Sequence, residues 1–298
     1  MANLKEVRNR ITSVISTQQI TKAMKMVSAA KLRRAQDAII RMRPYSQKLQ
    51  EILQNLASSL DSSDTGAYSK VRPLNNVLFV AINSNRGLCG ASNTNVIRKI
   101  NTLLAADEYS ALNKEGKVHI MAIGKKASDF FGKRKKLYTF VGEHNSIYDD
   151  LTFNNTSIIS EGIMQDFISE KYDRVVLFYN QFKNAAVQNI QAEQMLPIEP
   201  PAASEETEQK HMADYIFEPS KQEILLDLVP KTIKIQLFKA ILDSHASEHG
   251  ARMTAMSKAT DNANDLLKDL RLTYNKARQA AITGEILEIV AGAEALEE

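Results

Sequence analysis

Few residues are placed to do chemistry. Ser84-Asn85-Arg86-Gly87-Leu88-Cys89-Gly90 follows an apolar run and opens a helix, so its backbone amides could hold a phosphate. It lacks the Gly-Lys-Ser/Thr of a P-loop and the three glycines of a dinucleotide fingerprint, and reads as a structural turn. His245 and His249 stand four apart on a helix, the spacing of a metal pair. A zinc protease would put Glu directly after the first His, and Ala246 sits there. Packing or polar contact is the simpler role for both. His119 falls inside a strand and reads as a core histidine, and His144 and His211 fall in loops without obvious partners. Cys89 is the only cysteine, so neither an internal disulfide nor a four-thiolate zinc site can form. A small residue packed in a turn suits it better than a reactive thiol. Nothing marks a nucleophile with a base and an orienting group. No catalytic residue, metal or cofactor is expected.

Charge is more informative. The 298 residues carry a net +3. Residues 1–43 hold ten Lys or Arg against Glu6 and Asp37, while residues 193–208 hold five Glu and no base. A basic N-terminal arm suits nucleic acid or an acidic protein surface. Only Tyr45 is aromatic in the first 60 residues, which argues against base stacking. The longest apolar run, Val77 to Ile82, has six residues, far short of the roughly 20 of a membrane span. The N-terminus lacks a signal peptide's apolar stretch. A reducing, cytoplasmic setting fits.

Gly and Pro together number only 18, which favours long helices. Residues 1–60 read as one helix, about 90 Å long if straight. A heptad frame places Leu4, Ile11, Leu32 and Ile39 at one seam position, and Val7, Val14, Ala35 and Met42 at the other. In its middle the frame meets Gln18, Thr21, Lys25 and Ser28, and the apolar set moves to Ile20, Met24, Val27 and Ala30. This is either a stutter or a helix facing two surfaces. Pro44 should kink it.

Residues 61–72 are polar and read as a linker. Asn76–Asn83, Val118–Ile123 and Arg174–Tyr179 are apolar, β-branched runs, as buried parallel strands require. Leu137–Val141 is a further strand, and residues 185–198 look extended. Helices are expected at 92–106, 125–131 and 156–171. The alternation makes residues 73–200 a small, Rossmann-like α/β domain with a mainly parallel sheet. Glu199–Lys210 is an acidic loop and Tyr215–Phe217 a short extended piece. Ser220 with Glu223 forms a capping box for a last helix over 220–298, with a bend at Pro230. Its frame runs through Met256, Ala259, Ala263, Leu266, Leu270, Thr273, Ala277, Ala280, Gly284, Leu287 and Ala291.

Two long terminal helices are most economically paired antiparallel, as a coiled coil with the α/β domain between them in sequence. A two-stranded coil buries one stripe of each helix. Ile11, Ile15, Ile20, Ile282, Ile286, Ile289 and Val290 would stay exposed, as on a shaft that inserts into a partner.

The motifs also resemble a known family along essentially the whole chain. Ile20–Lys31 (ITKAMKMVSAAK), Arg43-Pro44-Tyr45, Arg86–Gly90 (RGLCG), Ser247–His249, Ala251–Met253, Ala255-Met256, Ala259–Ala263 (ATDNA), Tyr274–Ala280 (YNKARQA) and Ile282–Ile289 (ITGEILEI) occur in order. They are similar to the gamma subunit of bacterial F-type ATP synthases. Asn85 stands where that family usually has Asp, and Ala213 where some relatives have an aromatic. No cysteine pair of the chloroplast type is present.

The resemblance implies a central rotor shaft with no catalytic residue of its own. It would couple ion-driven rotation of the membrane c ring to conformational cycling of the beta subunits. Its partners would be the alpha and beta subunits, the epsilon subunit and the c ring, with no nucleic acid. It would sit at the cytoplasmic face of the bacterial cell membrane and touch the membrane only through the complex. By motif, Gln279, Thr283 and their neighbour Arg278, together with Met24 and Lys25, would contact a beta subunit; Tyr215 and Glu218 would contact the c ring. Two rivals remain: an α/β enzyme with a nucleotide at the 84–90 loop, and a basic coiled coil that binds nucleic acid.

Overall fold

The computed structural model describes residues 4–57, 67–134, 136–198 and 221–297. Readings placed on 58–66 and 199–220 lie outside the described residues, including the acidic loop, the capping Ser220, and Tyr215 and Glu218. The chain divides into two compact units, residues 1–29 with 252–298, and residues 30–251.

The larger unit is built on a five-stranded sheet. Its strands are β1 (Val77–Ile82), β2 (Val118–Ile123), β3 (Thr139–Glu143), β4 (Arg174–Phe182) and β5 (Gln188–Leu196), in the order β3-β2-β1-β4-β5. The first four are parallel, and β5 runs antiparallel to β4. All six side chains of the central β1 are buried, which is why its sequence is a continuous apolar run without alternation. One face is covered by α2 (Ser92–Leu104), α3 (Asp107–Lys114) and α4 (Lys125–Phe131), which bring Val96, Ile100, Tyr109 and Phe131 onto Phe79 and Phe178. The other face meets α5 (Phe153–Ile168) and the segment Val229–Ile241 of the last helix. α3 was not foreseen. It takes up residues after a helix expected to run to 106, because the first ends at Leu104 and a second starts after Ala106. α5 also begins three residues earlier than expected. Thr152 caps it by accepting a hydrogen bond from the Asn155 amide (3.4 Å).

β2 places His119 opposite Leu78 of β1, its ring 5.3 Å from that of the buried Tyr172. Burial first, and Lys171 second, hold its pKa below the ordinary 6.5; burial does the same to His144. Both rings are therefore neutral in the fold at a pH where the unfolded chain already takes up protons. The resulting stability is complete above pH 6.5 and shrinks as pH falls from there toward the folded values. The urea midpoint should fall on acidification below that point, and His119→Leu should flatten the dependence.

In the smaller unit, α1 (Leu4–Ala57) contributes residues 4–29 and α6 (Lys221–Glu297) contributes 252–297. Neither helix breaks at its proline, Pro44 or Pro230. The two are antiparallel. Gln18 donates to the Asn264 side chain, Thr21 meets Thr260 at 2.9 Å, and Lys25 donates to the Ser257 hydroxyl at 3.0 Å. These three rungs decide between the two readings of α1. The frame is not shifted in the middle, since Thr21 is only 9 % and Ser28 only 3 % exposed. Most of the apolar set that seemed to replace it points outward, with Ile20 at 60 %, Val27 at 57 % and Ala30 exposed, while Met24 is half-buried. So α1 has a polar-centred seam on one side and an apolar stripe on the other.

The frame read for α6 is half right. Met256 and Ala263 are buried and Ala259, Leu270, Ala277 and Gly284 half-buried, but Leu266, Thr273, Ala280, Leu287 and Ala291 are exposed. Leu267 is buried instead, and Tyr274 and Ala281 half-buried. The second seam position thus lies one residue later than the sequence pattern suggested.

Candidate functional site

In parallel α/β domains, ligands bind beyond the carboxyl ends of the strands where the strand order switches sides. Here that place lies between β1 and β4. It is filled by the chain itself. Ser244 of α6 donates to the Ile82 carbonyl at 3.4 Å, and Ser247 donates to the Asn180 carbonyl at 2.8 Å. Asn180 in turn donates to the carbonyl and hydroxyl of Ser92, both at 3.0 Å. Gly250 lies so close to Ala185 that a Cβ there would come within 3.2 Å of the Ala185 Cα. A helix with Ser, Ser and Gly at these positions seals the crevice that a nucleotide would need.

The 84–90 loop is also occupied by its own polar groups. Asn93 accepts from the Ser84 amide at 3.0 Å and donates to the Ser84 hydroxyl at 2.8 Å and to Cys89 Sγ at 3.1 Å. Ser84 Oγ donates to the Arg86 carbonyl at 2.7 Å. Cys89 is buried among these groups, which agrees with a packed turn residue. Asn85 accepts from the Lys125 amide at 2.9 Å, at the start of α4, and donates to the Asn145 carbonyl at 2.8 Å. An ionised carboxylate could do the first but not the second. The amide at this position therefore ties β1 to the loop after β3 in a way that Asp would not.

His245 and His249 do meet, Nε2 to Nε2 at 3.1 Å, and His245 stacks on Tyr148. Burial, and next the charge of Glu248, push the Tyr148 hydroxyl far above its ordinary range. Among the described residues no three metal-ligating side chains gather at one place.

The other sequence-derived candidates are surface positions. Arg278, Gln279 and Thr283 are exposed on α6, and the Thr283 hydroxyl bonds back to the Gln279 carbonyl at 2.9 Å. Carried back along the antiparallel register, Leu4, the first described residue, comes level with Arg278. The three therefore stand level with the first described turn of α1. Beyond them Ile282, Ile286, Leu287, Ile289 and Val290 are exposed, while Ile11 and Ile15 are half-buried in the coil. Met24 is half-buried, and Lys25 leans across the seam to Ser257. The outward face of α1 is formed by Ile20, Met26 and Val27, of which Met26 was not singled out from the sequence. Its signal was present: a second apolar stripe competing with the heptad. Arg252 is buried.

The site is thus an α/β domain whose switch point is filled by its own chain, and a separate antiparallel coil with exposed apolar stripes, a protein class without a ligand-binding crevice between β1 and β4. The comparisons agree. A family model described as ATP synthase matches residues 3–296. The chain is 59 % identical over 296 residues to the ATP synthase gamma chain of Christiangramia forsetii and 58 % identical to that of Flavobacterium johnsoniae, covering 99 % of both partners in each case. The fold resembles a chain of the Euglena gracilis mitochondrial ATP synthase rotor (TM-score 0.63, 22 % identity, 94 % of this chain and 98 % of that one). It also resembles a chain of that enzyme's OSCP/F1/c-ring assembly (TM-score 0.68, 23 % identity, 98 % and 94 %). The chain belongs to the ATP synthase gamma chain family. It is thus a subunit of an enzyme complex. No described helix is long and apolar enough to cross a membrane.

Proposed function

We propose that the coil of α1 and α6 turns inside a ring of alpha and beta subunits and carries no catalytic residue. Ion flow through the membrane c ring drives the turning. A shaft that contacts each catalytic subunit differently shifts that subunit's conformational equilibrium, which is allostery by rigid contact. One observation carries this reading. α1 keeps its seam through polar rungs while turning Ile20, Met26 and Val27 outward, and α6 exposes Ile282, Ile286, Leu287, Ile289 and Val290. Stripes of this kind need a sleeve to cover them.

In this reading Gln279, Thr283 and Arg278 meet a beta subunit near the end of the coil, and Met24 and Lys25 meet one lower down. Tyr215 and Glu218 reach the c ring, and the epsilon subunit packs beside the α/β domain. The functional divisions are residues 1–60, 73–200 and 220–298. The complex sits at the cytoplasmic face of the bacterial cell membrane, and this chain is peripheral to it. The sealed crevice between β1 and β4 speaks against the rival nucleotide-binding enzyme.

Co-expression with alpha and beta subunits tests the proposal. A stable complex should form, with ATPase activity that depends on this chain. A chain that hydrolyses ATP alone, or that stays free while alpha and beta assemble, would overturn it.

A further inference from the structure

The segment from Lys125 to Lys136 (KKASDFFGKRKK) holds six Lys or Arg and one acid, Asp129. It forms α4 and the turn after it, and α2 adds Arg98 and Lys99 beside it. Elsewhere in this unit many cations are neutralised: Lys117 pairs with Glu115 at 2.7 Å, Lys171 with Asp166 at 2.8 Å, and Lys234 with Glu161 at 2.6 Å. The side chains of Arg98, Lys125, Lys126, Lys133 and Lys136 form no ion pair with any described carboxylate. The patch is a field of open positive charge.

It also has shape. A groove of about 450 Å³ runs along α2 to α4, lined by Thr94, Ile97, Arg98, Asn101, Thr102 and Phe130. Ile97 and Phe130 give it an apolar floor. The Arg134 guanidinium lies 4.0 Å from the Phe130 ring centre and donates to the Phe130 carbonyl at 3.0 Å, so one cation is held at the rim. Tyr138 donates to Asn101 at 3.0 Å and braces the wall. Leu137, 66 % exposed, follows on the same segment.

From this geometry we infer that the α2–α4 face docks an acidic amphipathic helix of another protein, its apolar residues on Ile97 and Phe130 and its carboxylates against Arg98, Lys125, Lys133 and Lys136. A shallow apolar floor with Arg98 and Arg134 at its edge, and Lys125, Lys133 and Lys136 on the adjoining helix and turn, matches a helix that carries both stripes. A nucleic acid would leave the apolar floor unused. The site is separate from the shaft contacts proposed above, and its failure leaves them standing.

The test uses the full chain and a fluorescent peptide helix with Glu on one face and Leu on the other. Binding should weaken with salt, and should fall by about tenfold or more in Lys125→Glu/Lys133→Glu. A peptide with Gln for Glu should bind as weakly as that variant sees the original. Melting curves confirm that the variant is folded, and Lys133→Gln supplies a milder change with an intermediate loss. Equal peptide affinity for variant and parent would overturn the proposal. So would stronger, patch-dependent binding to anionic vesicles or to duplex DNA, which would assign the face to lipid or nucleic acid instead.

Discussion

Gln279→Ala combined with Thr283→Ala should lower the ATPase rate of the assembled complex by about tenfold, corresponding to roughly 1.4 kcal/mol of lost contact. Both side chains are exposed, and the Thr283 hydroxyl bonds back to the Gln279 carbonyl within the helix. Truncating exposed side chains of this kind costs the isolated fold within about 0.5 kcal/mol. The melting temperature of the free chain should therefore stay put while turnover falls. That separation makes the experiment decisive, because a packing role would move both measurements together. Unchanged turnover in the reconstituted complex would remove these two residues from the beta-subunit contact. It would leave Arg278, Met24, Lys25 and the outward apolar stripe as the remaining candidates for that contact.

The largest effect on stability is expected at Gly124. It ends β2 and begins α4 with φ at +105°, a conformation that side-chain-bearing residues rarely adopt. A Cβ there would lie 2.0 Å from the Asn83 carbonyl oxygen and 2.7 Å from its carbon. Backbone cannot yield as a flexible side chain can. The same junction carries the Asn85 bonds and the Lys126 amide bond to the Ser84 carbonyl (3.0 Å), so any shift loosens the whole corner. Gly124→Ala should cost about 3 kcal/mol and lower the melting temperature by about 10 °C. Gly162→Ala, at a helical site with open space around it, is the matching control and should be neutral or slightly stabilising. Equal melting of the two variants would show that the corner can relax.

Much of the architecture was legible in the residues. β1 and residues 175–179 of β4 are apolar runs too short for core helices, and burial on both faces leaves them no polar alternation, while β2 alternates buried with half-buried residues over its first four positions. The two long helices follow from the scarcity of Gly and Pro. The exposed Ile282, Ile286, Ile289 and Val290 follow from counting how much surface a two-stranded coil can cover. The motifs pointed to the family. The seam was not legible. Gln18, Thr21 and Ser28 look like a break in a hydrophobic frame, and only their partners on α6 show that the frame runs through them. The second seam position of α6 was misread for a related reason. Leu266 and Leu267 are equally apolar neighbours, and sequence offers no ground for choosing which faces the partner.

The sequence by itself therefore determined composition-level and period-level properties: which segments are strands, which are long helices, and that apolar surface is left over. Those depend on each residue's own preferences and on local spacing. Tertiary structure alone decided which stripe of α1 is the seam, and that Ser244, Ser247 and Gly250 close the crevice beyond β1 and β4. It also showed that Asn85 and Asn93 hold the 84–90 loop. In each case a polar or small residue acts through a partner far along the chain. Its own chemistry fits several partners equally well, and only the packed fold selects one.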